Sequence, residues 1–222
     1  ILVPAKNSAA FSQVKDTPLA RLLLTDLKKN ESLYEFEVKI FVGYDYDDPV
    51  LSIESNHEFL KEMLPQASFE FIELPRTRWI TFIWNMLHVQ AYHEGFDYFV
   101  QMNDDIELKP TKWMQTSMAL FNGTGVVGFR DSMWPCIKYT QTIVNRNHYQ
   151  IFSGQYFPLM LKNWFSDDWI KFVYRSKAKC NIKAHIKNGQ EATRYCPCDD
   201  TNYKKALSIG KETIRKWEEE QQ

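Results

Sequence analysis

Short β-rich runs alternate with stretches of helical periodicity through the first half of the chain. That alternation constrains the fold more than any other feature, because it is the pattern of a sheet with parallel strands covered by helices, an α/β architecture. Ile1-Leu2-Val3 reads as a first strand, Phe36 to Val42 as a second, Phe69 to Leu74 as a third and Tyr98 to Met102 as a fourth. Between them, Asp16-Thr17-Pro18 offers a cap and an N1 proline ahead of Leu19, Leu22, Leu23 and Leu27 at helical spacing. Glu54 to Leu64 forms a second helix. A third, from about Trp79 to His93, buries Ile80, Ile83, Trp84 and Leu87 and keeps Thr81, Asn85 and His88 on a polar stripe.

Farther along, a helix near Trp113 to Phe121 and a strand from Gly125 to Phe129 are followed by a less regular section through Pro135 and Tyr156-Phe157-Pro158. Ser166-Asp167-Asp168-Trp169 then opens a helix to about Tyr174. Tyr203, Leu207, Gly210, Ile214 and Trp217 repeat at four- and three-residue spacing, so a terminal helix is expected to dock on the domain. No repeat, low-complexity tract or linker divides the 222 residues, and one domain is expected.

Composition closes several function classes. With 27 Lys+Arg against 28 Asp+Glu the formal net charge is −1, which argues against a general binder of nucleic acid or anionic membrane. The longest apolar runs, such as Ile40-Phe41-Val42, are strand-sized and far from the roughly 20 residues that span a bilayer. Only 8 residues are glycine, and there is neither a Gly-x-Gly-x-x-Gly turn nor a Walker-type loop, so a Rossmann dehydrogenase or a P-loop nucleotidase is not expected. No Gly-x-Ser-x-Gly elbow occurs either. Carboxylate and metal chemistry remain.

The four cysteines, Cys136, Cys180, Cys196 and Cys198, lack zinc-finger spacing and leave a disulfide or plain thiols open. Asn30-Glu31-Ser32 and Asn122-Gly123-Thr124 are glycosylation sequons. The chain starts at Ile1 inside an apolar run, so it is expected to be cut from a longer precursor that leaves room for further domains. A signal anchor on that precursor would place the domain in the Golgi or ER lumen; without one it would be cytoplasmic.

Asn103-Asp104-Asp105 is the sharpest local feature. Adjacent carboxylates where a strand meets its loop can grip a hard divalent cation and leave its other positions to phosphate oxygens, at the place where open α/β sheets bind ligands. A solvated acidic turn is the alternative. The apolar strand from Tyr98 to Met102 that delivers the acids favours the cation. Arg76 and Arg78, after the third strand, suit phosphate through bidentate contacts, although two surface arginines need no ligand.

At these residues the chain resembles a family. Ile1 to Pro4, Phe41-Val42-Gly43-Tyr44-Asp45, the Arg-rich turn, the helix bearing Asn85 and Asp97 to Asp105 are similar to the nucleotide-sugar-binding half of a GT-A glycosyltransferase. The resemblance implies a Rossmann-like, mostly parallel central sheet flanked by helices, with a small acceptor-side subregion. Residues 1–110 would form the donor half, 111–200 the acceptor half and 203–220 the last helix. In that family a strand-end Asp-x-Asp motif holds the donor diphosphate through manganese or magnesium. Asn103 stands at its first position here, and Asp105 is kept as metal ligand. Pro4, Asp45, Arg76, Arg78, Asn85, Asn103 and Asp104 then fall to the donor, expected to be UDP-type, with Asp45 meeting the base.

Asp167-Asp168 has two readings. Acids in a first helical turn complement its positive end. The pair also resembles the acidic motif of inverting GT-A enzymes, in which Asp168, with Asp167 as fallback, would accept the proton of an acceptor hydroxyl. Trp164, Phe165 and Trp169 would wall the sugar, and the turn Phe152 to Tyr156 would line the acceptor side. By the same resemblance His185 is a candidate metal ligand; His57, His88, His93 and, less firmly, His148 are read as structural. The resulting expectation is a metal-dependent, inverting transferase acting on a glycan or glycoprotein. The rivals are a GT-A-like lectin or scaffold without chemistry, and a sugar-phosphate nucleotidyltransferase whose Gly-rich N-terminal loop is absent here.

Overall fold

The computed structural model describes residues 1–8, 10–189, 195 and 201–221. Cys196 and Cys198 lie outside the described residues. Among the described residues one sheet holds β1 (Leu2–Pro4), β2 (Lys39–Asp45), β3 (Ser68–Leu74), β4 (Tyr98–Gln101), β5 (Ile106–Leu108), β6 (Val126–Asp131), β7 (Thr142–Asn145) and β8 (Ala178–Asn188), in the order β3-β2-β1-β4-β7-β6-β8-β5. β1 pairs in parallel with both β2 and β4, so the strand order reverses direction between β1 and β4. The crevice at their carboxyl ends is the switch point at which such sheets take ligands.

β2 continues three residues beyond the expected end at Val42. Its parallel ladder with β3 runs from Lys39 opposite Ser68 to Asp45 opposite Leu74, which makes Asp45 the last residue of a strand rather than part of a loop. β7 was not foreseen. It lies antiparallel between β4 and β6, with Tyr98 opposite Asn145 and Gln101 opposite Thr142.

Seven α-helices are described, α1 (Thr25–Lys28), α2 (Glu54–Met63), α3 (Ile80–His93), α4 (Trp113–Met118), α5 (Arg146–Ile151), α6 (Ser166–Tyr174) and α7 (Tyr203–Glu220). α1 continues a π-helical stretch, Leu19–Leu24, capped by Thr17, whose hydroxyl accepts from the Ala20 amide. Both faces of the sheet are covered, so neighbouring strand residues enter opposite cores: Val3, Ile40 and Val42 meet Leu19, Leu23 and Leu27, while Leu2 and Phe41 meet Ile83 and Leu87 of α3. Gly43 lets α3 settle on β2, since a Cβ there would stand 2.6 Å from Ile83 Cγ2.

α7 docks as its spacing predicts: the Trp169 indole donates to Ala206 O at 3.1 Å, and Gly210 lies over Val173. Cys136 and Cys180 form a disulfide, joining the loop after β6 to β8. No helix of the described residues is long and apolar enough to cross a membrane.

Candidate active site

β4 ends at Gln101, and Asn103 follows with its amide donating to Gln141 Oε1 at 2.8 Å. From there a buried polar chain runs across the sheet. Gln141 Nε2 donates to Asn188 Oδ1 at 3.1 Å, Asn188 Nδ2 donates to Asp131 Oδ2 at 2.6 Å, and Thr140 Oγ1 donates to the same oxygen at 2.7 Å. Gln141 and Asp131 are fully buried. This network fixes the backbone of the strand-end motif, and no periodic signal in residues 130–160 announced it. It leaves Asn103 Oδ1 buried without a hydrogen-bond partner among the described residues.

Asn103 borders a cleft of about 180 Å³ lined also by Gln101, Trp164, Ser166, Asp167 and Asn188, among others. Of the strand-end motif, Asn103 shares this cavity with the start of α6, whereas Asp104 and Asp105 do not line it. Asp104 is buried and Asp105 partly exposed. Gly189 lies against Asp105, and a Cβ there would stand 2.8 Å from Asp105 Oδ2.

α6 begins from a strained turn: Phe165 holds φ +64° with its carbonyl accepting from the Trp169 amide, and Ser166 Oγ donates to Asn163 O at 2.8 Å. A bulky residue in the left-handed region costs of order 1–3 kcal/mol and is found where surroundings fix it. The turn leaves Trp164 53 % exposed beside the acids, whereas Trp169 is 1 % exposed, packed in the core and unavailable as the sugar wall it was expected to form.

Of the two acids, Asp167 lines the cleft and Asp168 does not. Burial and the neighbouring Asp168 raise the Asp167 carboxyl above its ordinary value, opposed by Lys138. Lys138 Nζ stands 4.0 Å from Asp167 and 3.8 Å from Asp168. Its loop is anchored by the Cys136–Cys180 bond and by Lys171 Nζ, which donates to Cys136 O and Ile137 O.

A second cavity, about 290 Å³, opens where β1 and β2 end and is lined by Lys6, Asn7, Asp45, Asp47, Asp48 and Arg76. Asp45 is buried, pairs with Lys6 Nζ at 3.0 Å and accepts from the Thr77 amide at 3.0 Å. Asp48 closes its own loop by accepting from the amides of Asn7, Val50 and Leu51. Arg76 reaches Asp47 at 3.3 Å from the surface; Arg78 is exposed, and Pro4 is buried in the ladder opposite Gly43.

Two candidates lie elsewhere. Asn85 Oδ1 accepts from the amides of Tyr156 and Phe157 and its Nδ2 donates to Phe157 O, so its side chain is engaged by the loop before α6 rather than free for a donor molecule. His185 is not brought to Asp105. The β5–β8 register puts the Glu107–Lys187 ion pair between them, and His185 Nε2 meets Arg130 instead. Among the described residues no three His, Cys, Asp or Glu side chains converge as a metal cage. A further cavity, about 310 Å³, is walled by Ile1, Phe36, Phe41, Phe96 and Met114 at the opposite, amino ends of the strands, away from every candidate residue.

No protein-family profile matches the chain, and no curated protein sequence does. Solved structures resemble it in fold. The mannosyltransferase PcManGT from Pyrobaculum calidifontis, in complex with GDP-Man and Mn²⁺, superposes with TM-score 0.59 at 12% identity over 87% of this chain and 57% of its own. TarS from S. aureus gives 0.58 at 12% identity over 84% and 36%. A putative nucleotide-diphospho-sugar transferase from Desulfovibrio desulfuricans G20 gives 0.50 at 13% identity over 97% and 96%. The chain spans between about a third and three fifths of the first two. The fold is GT-A-like, that of nucleotide-sugar transferases.

Proposed function

We propose that the chain is a glycosyltransferase domain that moves a sugar from a nucleoside diphosphate donor to a hydroxyl of a glycan or glycoprotein, with inversion. The observation that carries the reading is the shared cleft: Asn103 at the switch point, with its Oδ1 unsatisfied, lines the same space as Asp167 at the start of α6.

Asp167 is the base. As the acceptor oxygen bonds to the anomeric carbon, the bond from that carbon to the diphosphate oxygen breaks and the hydroxyl proton passes to the Asp167 carboxylate. A carboxyl raised by burial takes that proton more readily than an exposed one, while the Lys138 ammonium opposes the rise and favours the carboxylate. Trp164 offers its exposed ring to the acceptor sugar. On the donor side, the Lys6–Asp45 pair and Asn7 line the space for the base and ribose.

The donor set at the strand end, Asp105 with Asn103 Oδ1, consists of hard oxygens and fits manganese or magnesium held jointly with substrate phosphates better than a full protein cage. Such an ion would supply charge neutralisation of the leaving diphosphate. PcManGT was solved with GDP-Man and Mn²⁺, which supports a nucleotide-sugar donor and a metal.

Calorimetry with UDP and GDP, each with and without Mn²⁺, tests the reading. Metal-dependent heat with one nucleotide, lost in Asp105→Ala, is expected. Absence of metal-dependent heat with both would sink it, and heat without turnover on any nucleotide sugar would identify a binding module instead.

A further inference from the structure

The chain holds two Asn-x-Ser/Thr sequences, and the fold treats them oppositely. Asn30 has no exposed surface; its Nδ2 donates to Asp26 O and its Oδ1 accepts from the Thr111 amide at 3.2 Å, joining the end of α1 to the segment before α4. A glycan there would have to break both contacts. Asn122 stands exposed in the bend between α4 and β6.

That bend is held from behind. Gly123 has φ +73° with open space beside it, and its carbonyl accepts from Asn145 Nδ2 at 2.8 Å. Thr124 is buried and its hydroxyl accepts from Asn147 Nδ2 at 2.9 Å. The glycine and threonine are thus fixed to the body while the Asn122 side chain faces water. β6 then runs from Val126 to Asp131, about 20 Å at the usual rise, before it reaches the polar network of the cleft. A group on Asn122 leaves the cleft open. Independently, the Cys136–Cys180 disulfide belongs to proteins that mature in an oxidising compartment.

We propose that Asn122 carries an N-linked glycan, that Asn30 does not, and that the protein matures in an oxidising lumen. The Asn122 amide nitrogen forms a bond to the anomeric carbon of a lipid-diphosphate-linked oligosaccharide. The bond from that carbon to phosphate breaks, lipid diphosphate leaves, and the amide proton goes to solvent.

The test is production of the chain behind a cleavable secretion signal in eukaryotic cells, with secreted and retained protein both digested by peptide-N-glycosidase. One mobility step is expected, absent from Asn122→Gln, kept in Thr124→Ser and kept in Ser32→Ala, which removes the other sequon. No digestible glycan, or a step that survives Asn122→Gln, overturns the assignment. Non-reducing peptide mapping of the same material should find Cys136 joined to Cys180; both as free thiols would overturn the lumenal maturation.

Discussion

Asn188 Nδ2 donates to Asp131 Oδ2 at 2.6 Å, joining β8 to the end of β6 beneath the strand-end motif. Asp131, itself with no surface exposed, also accepts from Thr140 Oγ1 and from the Met133 amide. Asp131→Ala leaves three partly buried donors short of their buried acceptor and should cost about 2 kcal/mol in urea unfolding. Transfer should fall with it, because Asn188 then no longer fixes Gln141 and the Asn103 backbone.

The two acids of α6 separate by substitution. Asp167→Asn should keep donor affinity while transfer falls by roughly 10²-fold or more, with Asp168→Asn affecting transfer less. The reverse ranking would return the base to Asp168. Because Lys138 lowers the Asp167 pKa, Lys138→Met should raise it and move the acid limb of the kcat profile to higher pH.

His148 sets an acid limit on stability. Its Nε2 donates to Tyr156 O, its Nδ1 accepts from the Tyr174 hydroxyl, and burial pushes its pKa from 6.5 down to about 4. The unfolded chain therefore binds the proton first, so stability is intact above pH 6.5 and lost as pH falls through that value toward 4. The loss from this one group approaches about 3 kcal/mol at pH 4. His88 alongside, lowered by burial and by His148, deepens it. Urea midpoints measured from pH 7.5 to 4.5 check the slope, which should flatten in His148→Gln.

Gly189 gives a probe of the proposed metal site that leaves the proposed ligands unchanged. A Cβ there would lie 2.5 Å from Asp105 O, so Gly189→Ala must shift that segment. Manganese-dependent nucleotide affinity should drop roughly tenfold with the circular dichroism spectrum unchanged, the size of effect typical of groups that orient a ligand. Unchanged affinity would remove Asp105 from the metal site.

α6 is legible in sequence because Ser166-Asp167-Asp168 is a helix start and Trp169, Ile170 and Val173 keep its apolar period. β7 is not. Thr142–Asn145 is four residues long, and what makes it a strand is its ladder with β4, more than forty residues earlier in the chain. The strand-end acids could be placed because the apolar run from Tyr98 forces a strand beneath them. The network that holds them could not, since Gln141 just before β7 and Asp131 and Asn188 at the ends of β6 and β8 carry no local signal that the fold will bring them together. His185 failed for a related reason: the sequence places it on a strand, but only the register shows which residues stand between it and Asp105.

Because β7 runs against its neighbours, the chain leaves it at the amino edge of the sheet, in α5, and has to climb back along α3 to reach the cleft. His88 packs on Tyr149 and Tyr156, Asn85 grips residues 156 and 157, and Thr81 donates to Leu161 O at 2.6 Å, so the segment is clipped rung by rung to a helix outside the sheet. On the proposed function, the segment from Phe152 to Phe165 that would meet the acceptor is thereby a cassette hung on that helix. Such a segment could be lengthened, shortened or swapped between two fixed ends while the strands keep their pairing, which would make acceptor choice the property of this domain most open to evolution and to grafting.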